Sequence, residues 1–226
     1  MKTRAIIISG GMLEEEFVLQ EWKQHQESGD ICFLIGVDSG NLFLYEHHMV
    51  PDYIVGDFDS LPEEIVRYYK EETDIPIREF NPVKDATDTE IAVRLALEKG
   101  CDSLFLYGAT GTRLDHVLGN IQVLSIPHGA GVPAEIRDSH NRIRMIEKEA
   151  NLEKTEMFGP YFSVFPLDGV VEHFFIEGAK YPLHDHTLTP YDSLCVSNQA
   201  QEEKVTIKFP KGLVVLMETR DSYNRR

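Results

Sequence analysis

The sequence predicts an α/β chain in two parts: a mostly parallel, three-layer α/β domain over residues 1–144, followed by an all-β sandwich over residues 145–226. Three observations carry this expectation. In the first part, short apolar runs alternate with longer helical stretches, which implies right-handed crossovers and a sheet covered on both faces. The polar clusters of that part each follow the end of a predicted strand or open a helix. Beyond about residue 145 the helical stretches stop, and short runs separated by turn residues take over.

Residues 5–9 read as a buried strand running into Ser9-Gly10-Gly11. Residues 14–26 form a helix with Phe17, Val18 and Trp22 on its apolar face, so Trp22 is expected in the core. A second buried strand, 32–37, ends at Asp38-Ser39-Gly40, and a third, 53–55, ends at Gly56-Asp57. Residues 90–99 carry Ile91 and Leu95 one helical turn apart and stop at Gly100. Strand 103–107 ends at Gly108, helix 114–124 is closed by Pro127, and 134–137 is one more strand. In such sheets, ligands bind beyond the carboxyl ends of the strands. The segment 147–156 is charged and linker-like, with strands expected at 161–165 and 170–176. Val205, Ile207 and Phe209 alternate with polar residues before Pro210-Lys211-Gly212 turns the chain into 213–217, a hairpin pattern.

Composition narrows the functional classes. The 226 residues are 42% hydrophobic and 10% aromatic, ordinary for globular protein. A net charge of -16 makes nucleic acid and anionic membrane surfaces poor partners. An anionic substrate would need a divalent cation or a few placed Lys and Arg. The three cysteines, Cys32, Cys101 and Cys195, form no Cys-x-x-Cys pair and fit a reducing, cytoplasmic setting. No run approaches the roughly 20 apolar residues of a membrane span, and the four-residue apolar run at 5–8 is too short for a secretory leader.

Three clusters could carry chemistry. In Gly56-Asp57-Phe58-Asp59-Ser60, two carboxylates at i and i+2 point the same way if the segment is extended, and their repulsion disfavours burying both without a cation. Magnesium takes one or two carboxylates plus waters and phosphate oxygens. The structural alternative is an Asx-type turn, with Asp59 or Ser60 capping a helix at Pro62. In the second cluster, residues 84–90, Thr87 and Glu90 make a capping box. Asp85 and Asp88 lie one turn apart if the helix begins by Asp85, and Lys84 beside them could reach a phosphate. The third cluster is the turn Gly108-Ala109-Thr110-Gly111-Thr112 with Arg113, Asp115, His116 and Asn120. A glycine-rich strand-to-helix turn offers backbone N–H groups to phosphate, and arginine supplies a forked donor. It lacks both the Walker ending and the dinucleotide spacing. Asp115 could cap the helix, orient Arg113 or accept a proton. Acidic clusters and basic phosphate contacts on turns of one predicted sheet are the parts phosphoryl transfer needs.

Gly-Asp-Phe-Asp-Ser at 56–60, Asp-x-Thr-Asp-x-Glu at 85–90 and Gly-x-Arg-x-Asp-His-x-x-x-Asn at 111–120 resemble, in order and spacing, the motifs of the thiamine pyrophosphokinase family. Asp38-Ser39-Gly40 resembles the family's earlier Asp-Gly-Gly element, and Val196-Ser197-Asn198 its short Ser-Asn motif in the second domain. The resemblance runs from about residue 6 to residue 217. It implies transfer of a diphosphoryl group from ATP to the hydroxyl of thiamine, giving thiamine diphosphate and AMP, by a homodimer with active sites at the subunit interface. It also implies roles. Asp57, Asp59, Asp88 and Arg113 would be catalytic, with Asp57, Asp59 and Asp85 holding Mg²⁺. Asp38, Ser60, Lys84, Thr87, Gly108, Thr110, Gly111, Asp115, His116 and Asn120 would form the ATP side. Ser197 and Asn198 would contact the thiamine pyrimidine, and Asp59 or Asp88 would accept the hydroxyl proton. Two positions depart from the pattern, Ser39 and Thr112, each in place of a glycine. Competing readings are a metal-dependent phosphohydrolase using Asp57 and Asp59, and a non-catalytic nucleotide-binding module. The first usually carries its Asp-x-Asp after the first strand, and the second needs fewer carboxylates.

Overall fold

The structure, a computed structural model, describes residues 1–78, 86–191 and 193–222. It divides the chain into two units, Met1–Ser139 and His140–Arg226.

The first unit alternates strand and helix. In order these are β1 (Thr3–Ile8), α1 (Glu15–Glu27), β2 (Ile31–Val37), α2 (Gly40–Glu46), β3 (Tyr53–Val55), α3 (Glu63–Glu71), β4 (Ile77–Arg78), α4 (Asp88–Glu98), β5 (Ser103–Tyr107), α5 (Leu114–Val123), α6 (Ser125–Gly129) and β6 (Ala134–Arg137). The strands pair in parallel in the order β4-β3-β2-β1-β5-β6. Both faces of the sheet are covered. On one, Ile6 and Ile8 pack with Val18 of α1 and Phe43 and Leu44 of α2. Ile7, on the other, is equally buried, and α4 packs against β1, β2 and β3. This explains why the strands read as continuous apolar runs rather than alternating ones. Trp22 packs against the first of these clusters, as its helical face predicts.

Pro127 does not close α5. It lies in the first turn of α6, where proline's missing N–H is not needed, and its carbonyl accepts Val132 N at 2.9 Å.

The second unit contains β7 (Asn141–Ile146), β8 (Glu149–Glu153), β9 (Tyr161–Pro166), β10 (Val171–Glu177), β11 (Leu183–Leu188), β12 (Lys204–Lys208) and β13 (Val214–Thr219). Antiparallel sheets β7-β13-β9 and β11-β10-β12-β8 share one core, in which Phe162, Phe174, Ile176, Val205, Ile207, Val214 and Leu216 are fully buried. This is the sandwich that the sequence predicts. β7 spans the boundary expected at residue 144, and its ladder with β13 draws it into the second unit.

Two details differ from the sequence reading. The charged segment 147–156 contains a strand, because Leu152 turns into the core while Glu149, Asn151 and Glu153 stay out. β12 and β13 are not a hairpin. β12 pairs with β10 and β8, and β13 with β7 and β9, so the Pro210-Lys211-Gly212 turn carries the chain from one sheet to the other. Period-2 patterning reveals that a strand has a buried face, but not which neighbour it pairs with.

β7 and β13 also bury a charge. Glu218 is 0% exposed and accepts from Arg142 at 2.5 and 2.8 Å, with Arg144 at 3.4 Å. Among the described residues no helix is long and apolar enough to cross a membrane.

Candidate active site

The chain leaves β1 toward β2 on one side, while β5 lies on the other, so the strand order reverses at β1. Such a switch point opens a crevice beyond the carboxyl ends of the strands. The first unit has a cavity of about 720 Å³ there, walled by the turns that follow β1, β2, β3 and β5 and by the starts of α4 and α5.

The turns after β1 and β5 are tied together. Gly11 N donates to Gly108 O at 2.7 Å, and Met12 N to Thr110 O at 2.8 Å. A Cβ on Gly11 would collide with both of those carbonyls, so only glycine allows this approach. Gly108 holds φ +65, the left-handed region that favours glycine. Asn120, 7% exposed, donates to Ala109 O at 2.8 Å, and Thr110 Oγ1 donates to Asp138 at 2.7 Å. The carbonyls of Gly108, Ala109 and Thr110 are thus consumed by the protein. Among the described residues, the N–H groups of Ala109, Gly111 and Thr112 donate to no protein acceptor. A turn with its carbonyls bound and its N–H groups available is a natural anion cradle.

The turn after β3 differs from the extended segment expected. Phe58 holds φ +65, a strained conformation for a side chain with a Cβ, and is buried with Ile54, Leu61, Ile65 and Tyr69. Asp59 N donates to Asp57 Oδ1 at 3.2 Å, an Asx turn. Pro62, not Asp59 or Ser60, is the N-cap of α3. Nevertheless Asp57, Asp59 and Ser60 all line the cavity, together with Asp38, whose own φ is +47. The turn and the site are the same object: burying Phe58 leaves both flanking carboxylates at the cavity. The charge of Asp57 pushes the Asp59 carboxyl above the usual range, aided by their side-chain hydrogen bond, slight desolvation and the charge of Asp88.

Asp88 lines the same cavity and opens α4. Thr87 caps that helix, accepting from Glu90 N at 3.2 Å, while the Glu90 carboxylate pairs with Arg94 at 2.8 Å. Thr87 therefore shapes the helix and is not among the lining residues. Lys84 and Asp85 lie outside the described residues.

Arg113, His116 and Asn120 line the cavity, and Asp115 does not. Asp115 accepts from Arg113 Nη2 at 2.7 Å and Nε at 3.3 Å and from His116 N at 3.0 Å. These bonds hold its carboxyl down at about 2, first through the Arg113 hydrogen bond. Of the three roles open to Asp115, orienting Arg113 is the one its contacts support. A carboxylate so acidic is a poor base near neutrality.

Ser39 stands where the resembling family carries glycine, and its Oγ donates to Gly10 O at 3.1 Å, adding a tie between the β1 and β2 turns. Sequence reasoning missed Ser9–Met12 and Thr89 as lining residues. The glycine pair just past the first strand was the available signal.

The second unit holds the remaining predicted residues. Ser197 is exposed, with φ +58, and its N–H donates to Ser163 Oγ at 3.0 Å. Asn198 is 3% exposed. Its Nδ2 donates to Tyr181 O at 2.8 Å, and its Oδ1 accepts from Tyr181 N at 3.1 Å and Gln199 N at 2.9 Å. Asn198 therefore fixes the backbone of Tyr181, whose side chain stays 58% exposed. Tyr181 is a further aromatic that the sequence reading passed over.

The donor set suits a hard divalent cation. Among the described residues no group of three or more His, Cys, Asp or Glu is arranged to hold a metal by itself. Magnesium needs only one or two carboxylates, the rest being waters and phosphate oxygens, and the repelling Asp57 and Asp59 carboxylates are of the type that could hold it.

Both units resemble known proteins. The family model described as "Thiamin pyrophosphokinase, catalytic domain" matches residues 24–134, and that described as "Thiamin pyrophosphokinase, vitamin B1 binding domain" matches residues 144–214. The chain is 34% identical over 188 residues to the thiamine pyrophosphokinase of Bacillus subtilis (strain 168), covering 83% of this chain and 87% of that one. The crystal structure of thiamine pyrophosphokinase from Bacillus subtilis is similar at a TM-score of 0.82 and 30% identity, over 98% of this chain and 100% of that one. That of thiamin pyrophosphokinase from Geobacillus thermodenitrificans is similar at 0.81 and 30% identity, over 98% and 99%.

Proposed function

Because the chain belongs to the thiamine pyrophosphokinase family, we infer that it transfers the diphosphoryl group of ATP to the hydroxyl of thiamine, releasing AMP. The observation that carries the chemistry is the meeting, in one cavity, of a carboxylate cluster, a turn with available N–H groups and a guanidinium.

The roles follow from the contacts. The N–H groups of Ala109, Gly111 and Thr112 bind phosphate oxygens in the turn formed by Gly108, Thr110 and Gly111. Arg113, held by Asp115, adds its fork to the leaving α-phosphate side. Asn120 keeps the turn in place, while His116, Asp38 and Ser60 complete the wall. The thiamine hydroxyl attacks the β-phosphorus, and Asp59 or Asp88 takes its proton. Asp57 and Asp59, with Asp85 outside the described residues, would hold Mg²⁺. That ion, when bound, offsets negative charge on the phosphates. Preorganised donors do much of the remaining work, since they need not reorient as charge moves to the leaving AMP.

On the acceptor side, Ser197 contacts the pyrimidine and Tyr181 offers its ring for stacking. Asn198 acts through Tyr181. The finer reading is a homodimer with its active sites at the subunit interface. It is supported by Leu114 and Leu118, left 76% and 58% exposed one turn apart on α5, and by Leu194 and Val196 beside Ser197. Cys32, Cys101 and Cys195 form no disulfide, which supports a cytoplasmic location.

The test is a product assay. Purified protein with ATP, Mg²⁺ and thiamine gives AMP and thiamine diphosphate in equal amounts, and omitting Mg²⁺ stops both. Free phosphate without AMP, or ATP binding without turnover, contradicts the reading. Light scattering gives about twice the 25.8 kDa chain mass for the dimer, and a monomer contradicts it.

A further inference from the structure

We propose that Ser9 and Thr89 act as one paired-hydroxyl contact for a phosphate group of the nucleotide in this cavity, an inference that rests on the ATP-binding reading above but not on turnover. Ser9 directly follows β1 and is 2% exposed, while Thr89 is the second residue of α4 and is 9% exposed. Their hydroxyl oxygens lie 3.0 Å apart, and both residues line the cavity. Neither side chain makes another hydrogen bond among the described residues.

Proton counting points to a ligand. Each hydroxyl carries one proton and can also accept. Whichever group donates across the 3.0 Å bond, the other keeps a proton that has no acceptor among the described residues. Buried donors rarely stay unsatisfied. Since both side chains border the cavity, the acceptor comes from what the cavity holds. Water accepts that proton when no ligand is bound; a metal ion cannot accept it, and a phosphate oxygen, a charged acceptor with no donor of its own, is the stronger partner. The surroundings favour an anion too. Thr89 sits in the first turn of α4, where the helix dipole is positive, and the available N–H groups of Ala109, Gly111 and Thr112 belong to the same wall. The competing role is a structural latch that only joins β1 to α4.

Calorimetric titration with ATP separates the two. Ser9→Ala and Thr89→Val change shape little. The variant that removes the hydroxyl donating to phosphate is expected to weaken ATP binding about 10-fold to 100-fold, the range for a hydrogen bond to a charged group, while the other costs less. Inorganic triphosphate loses affinity in parallel, which assigns the contact to phosphate rather than base. The double variant is no weaker than the worse single one, because the two hydroxyls deliver one proton. Thr89→Ser recovers most of the affinity. The proposal is overturned if neither variant weakens ATP binding while the melting temperature falls, if both lose about 10-fold or more and the two losses add, or if Thr89→Val binds weakly and Thr89→Ser binds no better. A wild-type protein that binds ATP but forms no thiamine diphosphate contradicts the functional reading alone; one that binds no ATP contradicts both.

Discussion

Replacing Asn198 with alanine separates a residue that touches thiamine from one that shapes the contact. The Asn198 amide makes three hydrogen bonds, two of them to the backbone of Tyr181, and the residue is 3% exposed. Alanine removes all three and leaves the Tyr181 N–H and carbonyl to find new partners. A typical bond contributes about 1 kcal/mol net, so the loss is about 2–3 kcal/mol, with partial rehydration keeping it from being larger. For a protein of this size, that lowers the melting temperature by about 4–12 °C. The thiamine KM rises as well, because the Tyr181 ring is no longer held. Ser197→Ala, by contrast, leaves an exposed position and raises the thiamine KM with a melting shift near zero. Differential scanning calorimetry and thiamine titration at saturating ATP measure both. An Asn198→Ala protein that melts like the wild type while losing thiamine affinity would refute the scaffold role and make the amide a direct contact.

Other expectations follow from the same contacts. Asp59→Asn lowers kcat by about 100-fold or more with unchanged circular dichroism, in line with losing one electrostatic contact to the reacting centre, and retained activity removes Asp59 from the site. Glu218→Ala leaves the partly exposed Arg142 and Arg144 without their carboxylate partner and costs about 1–3 kcal/mol in a denaturant titration. His25 is buried against Tyr107 at 2.8 Å, and burial lowers its pKa from 6.5 to about 4. The unfolded chain therefore binds a proton that the folded chain refuses between those values. Stability from this group is complete above about pH 6.5 and is lost as pH falls toward 4; His25→Gln flattens that part of the stability profile, and an unaltered profile contradicts the assignment.

Much of the first unit was legible because its strands are continuous apolar runs and its clusters stand at their ends. Tyr53, Ser103 and Ala134 begin strands where periodicity put them. The cavity-lining positions of Asp57, Asp88 and Arg113 were legible for a related reason, since they stand at or just beyond the ends of predicted strands or the start of a helix. What the sequence hid depends on neighbours far along the chain. Ser9 and Thr89 meet across 80 positions, and no local pattern announces a shared hydroxyl bond. The left-handed Phe58 turns an expected extended pair into an Asx turn, a choice made by packing against Ile54 and Tyr69. No local pattern shows that the Asn198 side chain bonds the backbone of Tyr181, 17 positions before it. β12 and β13 have a hairpin's spacing, but the two-sheet core pairs them elsewhere.

The central claim is attack by the thiamine hydroxyl at the β-phosphorus in the cavity of the first unit. ATP carrying ¹⁸O in the α–β bridge tests it most directly. Cleavage between the bridge oxygen and the β-phosphorus leaves the label in AMP, with none in thiamine diphosphate, and that is the result this account predicts. Label appearing in thiamine diphosphate, or ADP in place of AMP, would contradict it.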